Sequence, residues 1–412
     1  MPSASGQASK LFREGTDRAV PPSSTLDQVK PHLPAMGITR VANLTGLDRV
    51  GLPVVAVCRP NSRSLSVSQG KGLSLAAAEA SGLMESVEAF HAERMTLPLL
   101  LGSYDEVRRQ HPVADPRGLP RRAMSRFTPD LPLLWVGGAD LLSATRTLVP
   151  YELVHLDLRV PFPTGTGAFL MSSNGLASGN HLLEATSHAI CELVERDANS
   201  LFRLSGETAR AARRIDLATI RDPTCQEVLD RFAAADIGVL LWNVTSDIEI
   251  PSILCTVVDR DRNLARPMVP ISGSGCHPRP EVALLRALTE AAQGRLTLIS
   301  GSRDDLSQVA FDTAFAMTRG DGARGLLRDR RACVSFEEVV GVDHECFDDD
   351  VKWELERLAA AGVRQVIAVN LTLSAYQIPV VRVVIPFLEA MSEAPGYVPG
   401  PRARGAVDRV LA

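Results

Sequence analysis

Apolar positions divide this 412-residue chain into short runs and three long periodic stretches. Leu52–Cys58 (LPVVAVC) is apolar without a polar break and reads as a buried strand. Residues 237–243 (IGVLLWN) and 252–258 (SILCTVV) read as paired strands, and 132–136, 148–158, 365–371 and 379–385 as further ones. The long stretches, about 73–95, 181–203 and 279–299, are rich in Ala, Leu and Glu with no Pro past the first turn, which predicts helices. Shorter helices are predicted near 25–35, N-capped by Ser24 or Thr25, and near 348–361. Residues 111–130 read as an irregular Pro- and Arg-rich connection, and 165–179 and 272–276 as glycine-rich loops. The class is α+β or mixed α/β, and no linker divides it.

Each long helix carries a polar triplet at offsets 0, 4 and 7: Ser81, Glu85 and Glu88; His188, Glu192 and Glu195; Arg286, Glu290 and Gln293. These offsets place side chains on one helical face. In the second helix the stripe extends back to Glu184 and Asn180, and Arg196 and Asp197 follow it. Carboxylates at such spacing ordinarily mark a solvated face. Here the flanking residues are small or apolar (Gly82, Leu83, Val87; Ala189, Ile190, Val194; Ala287, Leu288, Ala291), as in helices buried on most of their surface. Buried like charges repel at high cost unless cations neutralise them.

Oxygen-only ligands suit Mg2+, whose shell is normally shared with phosphate oxygens and water. Lys71, Arg196 and Arg295, with the glycine-rich loops, are candidates to hold those phosphates. The pattern therefore suggests a Mg-nucleotide site. It is not a Walker A site, because Ser68-Gln69-Gly70-Lys71-Gly72 lacks the upstream Gly and the following Ser/Thr. No Rossmann fingerprint occurs in the right context.

Composition narrows the picture. At 45% hydrophobic and a formal charge of −4 the chain is neither disordered nor a nucleic-acid binder relying on bulk positive charge. No apolar run reaches membrane-spanning length, and the N-terminus has no apolar signal region. The seven cysteines are scattered with no C-x-x-C, so they read as reduced thiols in a cytoplasmic protein.

Three segments, in this order, resemble the YcaO superfamily: SVSQGKGLSLAAAEASGLMESVEAFHAE (66–93), SSNGLASGNHLLEATSHAICELVERDA (172–198) and GSGCHPRPEVALLRALTEAAQGRLTLISGSRDD (273–305). The resemblance covers about 40–400, leaving 1–39 as a partly loose N-terminal segment and 401–412 as a tail. It implies a YcaO-type fold, with three carboxylate-bearing helices around an ATP cleft that has no P-loop. By motif, Glu85, Glu88, Glu184, Glu192 and Glu195 are the implied metal ligands. Lys71, Ser81, Asn180, Arg196, Gln293 and Arg295 are the implied nucleotide-binding residues, with Arg18 an additional N-terminal basic candidate. An Arg that often follows the second Glu of the first motif is Ala89 here. The resemblance implies ATP- and Mg2+-dependent activation of a peptide backbone amide, in a homodimer.

Within the superfamily, GSRDD (301–305), VVRVVIPFLEA (380–390) and YVPGPRA (397–403) resemble members paired with a TfuA partner, which are associated with thioamide formation. Phe387 stands where those members have Gly. Azoline-forming members commonly end in an alternating P-x-P-x-P tail, whereas this chain has one P-x-P, Pro399 and Pro401, followed by eleven residues. The alternatives are an azoline cyclodehydratase, an accessory factor for ribosomal-protein methylthiolation, and a non-catalytic peptide-presenting scaffold. No general base is identified. Cys276–His277 is an improbable dyad, since adjacent residues rarely point at each other. Cys191 reads as core, and His188 as either a ligand contact or a satisfied interior histidine. Arg303, Asp304 and Asp305 read as a helix cap or the border of the cleft, and 107–125 as a solvated basic surface.

Overall fold

The computed structural model describes residues 7–161, 167–260, 268–303, 325, 327, 334–390 and 396–411. Residues 7–21 carry buried Lys10 and Asp17, joined at 2.9 Å, and lead into α1 (Pro22–Val29) and α2 (Leu33–Met36). A 3-10 turn at Lys30–His32 separates the two, so the single helix predicted near 25–35 is broken. Pro31 is the cause, because it has no N–H and clashes with the preceding turn. The N-cap of α1 is Pro21. Thr25 does not cap α1; its hydroxyl donates to Asn180 Oδ1 at 2.9 Å.

The first structural unit is an antiparallel meander, β1 (Arg40–Asn43), β2 (Val54–Cys58) and β3 (Val67–Lys71), closed by α3 (Leu75–Glu93). Strand β2 is the predicted apolar run. Strand β3 is polar and was not predicted. It is a strand because Gly70 lets α3 lie against it: a Cβ there would fall 2.0 Å from the Ala78 carbonyl oxygen and 2.1 Å from Gly82 N. Ser74 caps α3 by accepting from Ala77 N.

The central elements are β4 (Leu99–Ser103), α4 (Tyr104–Val107), β5 (Pro132–Asp140), β6 (Arg146–Pro150), β7 (Leu176–Ser178), α5 (Leu182–Leu204), α6 (Glu207–Ala211) and α7 (Pro223–Ala234). The strand expected over 148–158 stops at Pro150, where a 3-10 turn begins. A second meander follows: β8 (Ile237–Asn243), β9 (Ser252–Asp259) and β10 (Ile271–Cys276), closed by α8 (Pro280–Ser300). The loop expected at 272–276 is thus strand β10. Its glycines fit the helix rather than a turn, since a Cβ on Gly275 would lie 2.1 Å from the Ala283 carbonyl oxygen.

The chain ends with α9 (Phe347–Ala360), β11 (Ile367–Asn370), β12 (Val380–Val384) and α10 (Pro401–Leu411), the last inside the segment read as a tail. A six-stranded antiparallel sheet runs β4-β5-β11-β12-β7, with β6 on β5. The face of this sheet carrying Ile367, Val380 and Val384 packs on Val87 and Phe90 of α3. Its other face, with Val381 and Val383, packs on Ala189, Ile190 and Val194 of α5. Ser274 of β10 in turn touches Glu195 of α5, so α5 lies between the large sheet and the second meander. Arg286 of α8 reaches His188 of α5, and Glu88 of α3 lies within electrostatic reach of Glu192 of α5.

Candidate active site: a carboxylate-lined cleft

From α3, Glu88 Oε1 accepts two hydrogen bonds from Ser178 at the end of β7, from N at 2.8 Å and from Oγ at 2.7 Å. Burial pushes the Glu88 carboxyl up to about 8; Ser178 opposes the shift, and Glu85 and Glu192 add to it. Glu85 is exposed to solvent, with the charges of Arg303, Lys71 and Glu192 within reach. Burial raises its carboxyl to about 7, opposed by Arg303 and Lys71. Ser81 lies one turn before Glu85 on the same helix.

From α5, Glu184 is 2% exposed and accepts from Ala19 N at 3.2 Å and Asn180 N at 3.1 Å, with Arg18 Nη1 at 3.5 Å. Glu192 accepts from Gly175 N at 3.3 Å and has Arg196 Nη2 at 3.6 Å. Burial raises its carboxyl, and Glu195 adds to the rise while Arg196 opposes it. Glu195 accepts from Ser274 Oγ at 2.8 Å and faces Arg196 Nη1 at 3.1 Å. Burial and the Arg286 charge hold His188 well below its usual range; its Nδ1 lies 3.4 Å from Arg286 Nη1 and accepts from it.

From α8, Glu290 pairs with Lys71 Nζ at 3.1 Å. Burial pushes this carboxyl up, but Lys71, Arg196 and Arg286 together hold it below the ordinary range. Gln293 Nε2 donates to the Gln69 carbonyl at 2.8 Å.

The structure therefore brings Glu88 within electrostatic reach of Glu85 and Glu192, with Lys71 near Glu85 and paired to Glu290, Arg196 beside Glu192 and Glu195, and Asn180 and Arg18 beside Glu184. It does not bring Arg295 to them. That side chain is 3% exposed and clamps Asp48 (2.7 and 3.1 Å) and Asp259 (2.8 Å), tying α8 to the loop before β2 and to the end of β9. Cys276 is buried against Cys191, while His277 Nδ1 accepts from Arg279 N at 3.0 Å, so the two adjacent residues form no dyad. Arg303 is within electrostatic reach of Glu85; Asp304 and Asp305 lie outside the described residues.

The donor set fits a hard cation. All the carboxylates offer oxygen, and burial, with smaller additions from neighbouring carboxylates, raises Glu85, Glu88 and Glu192 against the opposing charges of Lys71, Arg303 and Arg196. Among the described residues no group of three or more His, Cys, Asp or Glu side chains is already close enough to hold one ion. A Mg2+ shell completed by phosphate oxygens and water needs only one or two carboxylates from the protein.

Sequence reasoning missed Ser178, Ser274 and Gly175, which orient three of the glutamates, although each lies inside or beside a motif. A seryl hydroxyl or a glycine N–H gives no pattern of its own. Glu290 was visible as a triplet member, but its pairing with Lys71 joins residues 219 positions apart.

Residues 69–389 match the family model for the YcaO cyclodehydratase, ATP- and Mg2+-binding. The chain belongs to the YcaO family. An uncharacterized protein in the tfuA 3' region of Rhizobium leguminosarum bv. trifolii is 38% identical over 390 residues, covering 90% of this chain and 89% of that one. The fold is similar to that of a heterocyclase solved in complex with substrate and cofactor (TM-score 0.78, 21% identity, 99% of this chain and 57% of that one). It is also similar to YcaO from Methanopyrus kandleri bound with AMPPCP and Mg2+ (TM-score 0.74, 23% identity, 96% and 99%). Among the described residues no helix is long and apolar enough to cross a membrane.

Proposed function

We propose that this protein uses ATP and Mg2+ to activate a peptide backbone amide by O-phosphorylation, giving a thioamide with external sulfide and a TfuA-type partner. The observation that carries the reading is the convergence of glutamates from α3 and α5, three of them with raised carboxyls, beside Lys71 and Arg196. Glu85, Glu88, Glu184, Glu192 and Glu195 would hold Mg2+, which when bound offsets phosphate charge. Lys71, paired with Glu290, and Arg196, beside Glu192 and Glu195, supply positive charge suited to phosphate oxygens. Asn180, tied to Thr25 and Glu184, orients one end of the carboxylate stripe. Ser81 and Gln293 complete the proposed nucleotide lining.

An amide oxygen is a poor leaving group. Nucleophilic attack on the amide carbon breaks the C–O π bond. Transfer of the γ-phosphoryl group to that oxygen then lets it depart as phosphate. Two observations favour thioamidation over azoline formation. One relative at 38% identity is named for the tfuA region. The C-terminal segment is also pinned rather than free: Arg402 clamps Asp197 at 2.9 and 3.0 Å, and Glu389 accepts from Gly400 N and Ala403 N. The same reading takes the protein as a cytoplasmic homodimer that binds neither nucleic acid nor membrane. Incubating peptide with the protein, its partner, ATP, Mg2+ and sulfide tests the assignment by mass. Replacement of oxygen by sulfur raises the peptide mass; loss of one water supports the azoline alternative, and no change with ATP consumed contradicts both.

A further inference from the structure

Arg382 on β12 belongs to the VVRVVIPFLEA motif and has no role in the account so far. Its side chain is 2% exposed. Nη2 donates to the Ser172 carbonyl at 2.6 Å, while Nε and Nη1 have no hydrogen-bond partner among the described residues. A buried guanidinium without a contacting carboxylate is costly, and an apolar residue would fill the place more favourably. Burial pulls its pKa down to about 10, and Glu192 acts against that shift. The two charges therefore feel each other across the sheet, with no contact between them.

The backbone joins them. Arg382 pairs in register with Leu176 on β7, and Val383 N donates to the Gly175 carbonyl at 2.8 Å. Gly175, at φ +81°, donates its own N–H to Glu192 Oε2. A Cβ at this position would lie 2.4 Å from the Val383 carbonyl oxygen, so the turn is tight against β12. Residues 382 and 383 thus hold the Ser172 and Gly175 ends of the turn that presents its N–H to Glu192.

We infer that Arg382 is a positioning residue: it fixes the Ser172–Gly175 turn under Glu192 and is the counter-charge set beneath that carboxylate. The inference rests on the reading of the cleft as a Mg-nucleotide site. It is tested by thermal unfolding of R382Q, R382K, E192Q and R382Q/E192Q, without ligand and with ATP over graded Mg2+. Two results are expected together. In R382Q the Mg2+ concentration for half the ATP-dependent shift rises at least tenfold, with partial recovery in R382K, which keeps the charge but not the fork. Without ligand, R382Q lowers the melting temperature more in the wild-type background than beside E192Q.

A folded R382Q with an unchanged Mg2+ requirement, or strict additivity with E192Q, overturns the inference. If R382Q alone fails to fold, folding of R382Q/E192Q supports it and failure of the double variant overturns it. Absence of any ATP shift in the wild type would instead contradict the site reading, while the ligand-free comparison would still decide the role of Arg382.

Discussion

In β1–β3/α3 a glycine of the last strand, Gly70, lets the closing helix sit directly on it, and in β8–β10/α8 Gly273 and Gly275 do the same. Each helix then sends a polar triplet at equal offsets toward the cleft. The electrostatics differ. On α3, Glu85 and Glu88 have raised carboxyls and face further glutamates. On α8, Glu290 is lowered, because Lys71 reaches over from β3 and Arg286 and Arg196 stand nearby. One scaffold thus provides an acidic wall suited to cations and a mixed wall suited to phosphates. The difference lies in a few side chains, and substitutions can be ranked by how far they would erase it.

The largest effect is expected from Arg295→Ala. It leaves Asp48 and Asp259 without their buried partner and should lower stability by about 3–5 kcal/mol in denaturant titration. Nucleotide affinity of the folded fraction should stay unchanged, as for a scaffold residue; a selective loss of ATP affinity would return Arg295 to the phosphate side. Next, Glu88→Gln should weaken Mg-dependent ATP binding by about 100-fold or more, as loss of a metal ligand does, while Glu290→Gln leaves the Mg2+ requirement nearly untouched. Equal losses in both, read by titration calorimetry, would erase the distinction between the walls.

Gly70→Ala and Gly275→Ala should each cost about 1–3 kcal/mol of stability through overpacking, because both Cβ positions collide with helix backbone. Clearly unequal costs would break the structural equivalence of the two units. The smallest effect is on pH dependence. Glu85 and Glu88 hold protons in the folded, ligand-free protein that the unfolded chain releases above its ordinary value of 4.5. Their contribution to stability is therefore full below about 4.5 and is lost as pH rises toward about 8. Mg-ATP binding should release protons at pH 7 and tighten toward pH 8, measurable by calorimetry in buffers of different ionisation enthalpy. Glu88→Gln should flatten both trends. Glu290, being lowered, contributes in the opposite sense and loses its contribution only as pH falls.

The long helices and apolar strands were legible in the sequence because their periodicity is local. The triplets followed from that periodicity, which left α+β and mixed α/β both open until the resemblance chose between them. Strands β1, β3, β4 and β7 were not legible: β7 lies in the stretch 165–179 read as a glycine-rich loop, and β3 is VSQGK, a polar run made a strand by its fit against α3. Strand β10 was read as a loop for the same reason, since glycine needed for close helix packing looks like glycine needed for a turn. Arg295 illustrates the limit at the site. Its motif position and charge suggested phosphate, but its direction was set by Asp48, 247 residues away, and no local pattern encodes that.

The central claim is that the acidic wall binds Mg-ATP. A thermal-unfolding comparison of the wild type and Glu192→Ala, with ATP in the presence and absence of Mg2+, tests it most directly, because a ligand that binds only the folded state raises apparent stability. The account predicts a Mg2+-dependent rise in the wild type that disappears in the variant. A rise of equal size in both proteins, or one indifferent to Mg2+, would contradict it.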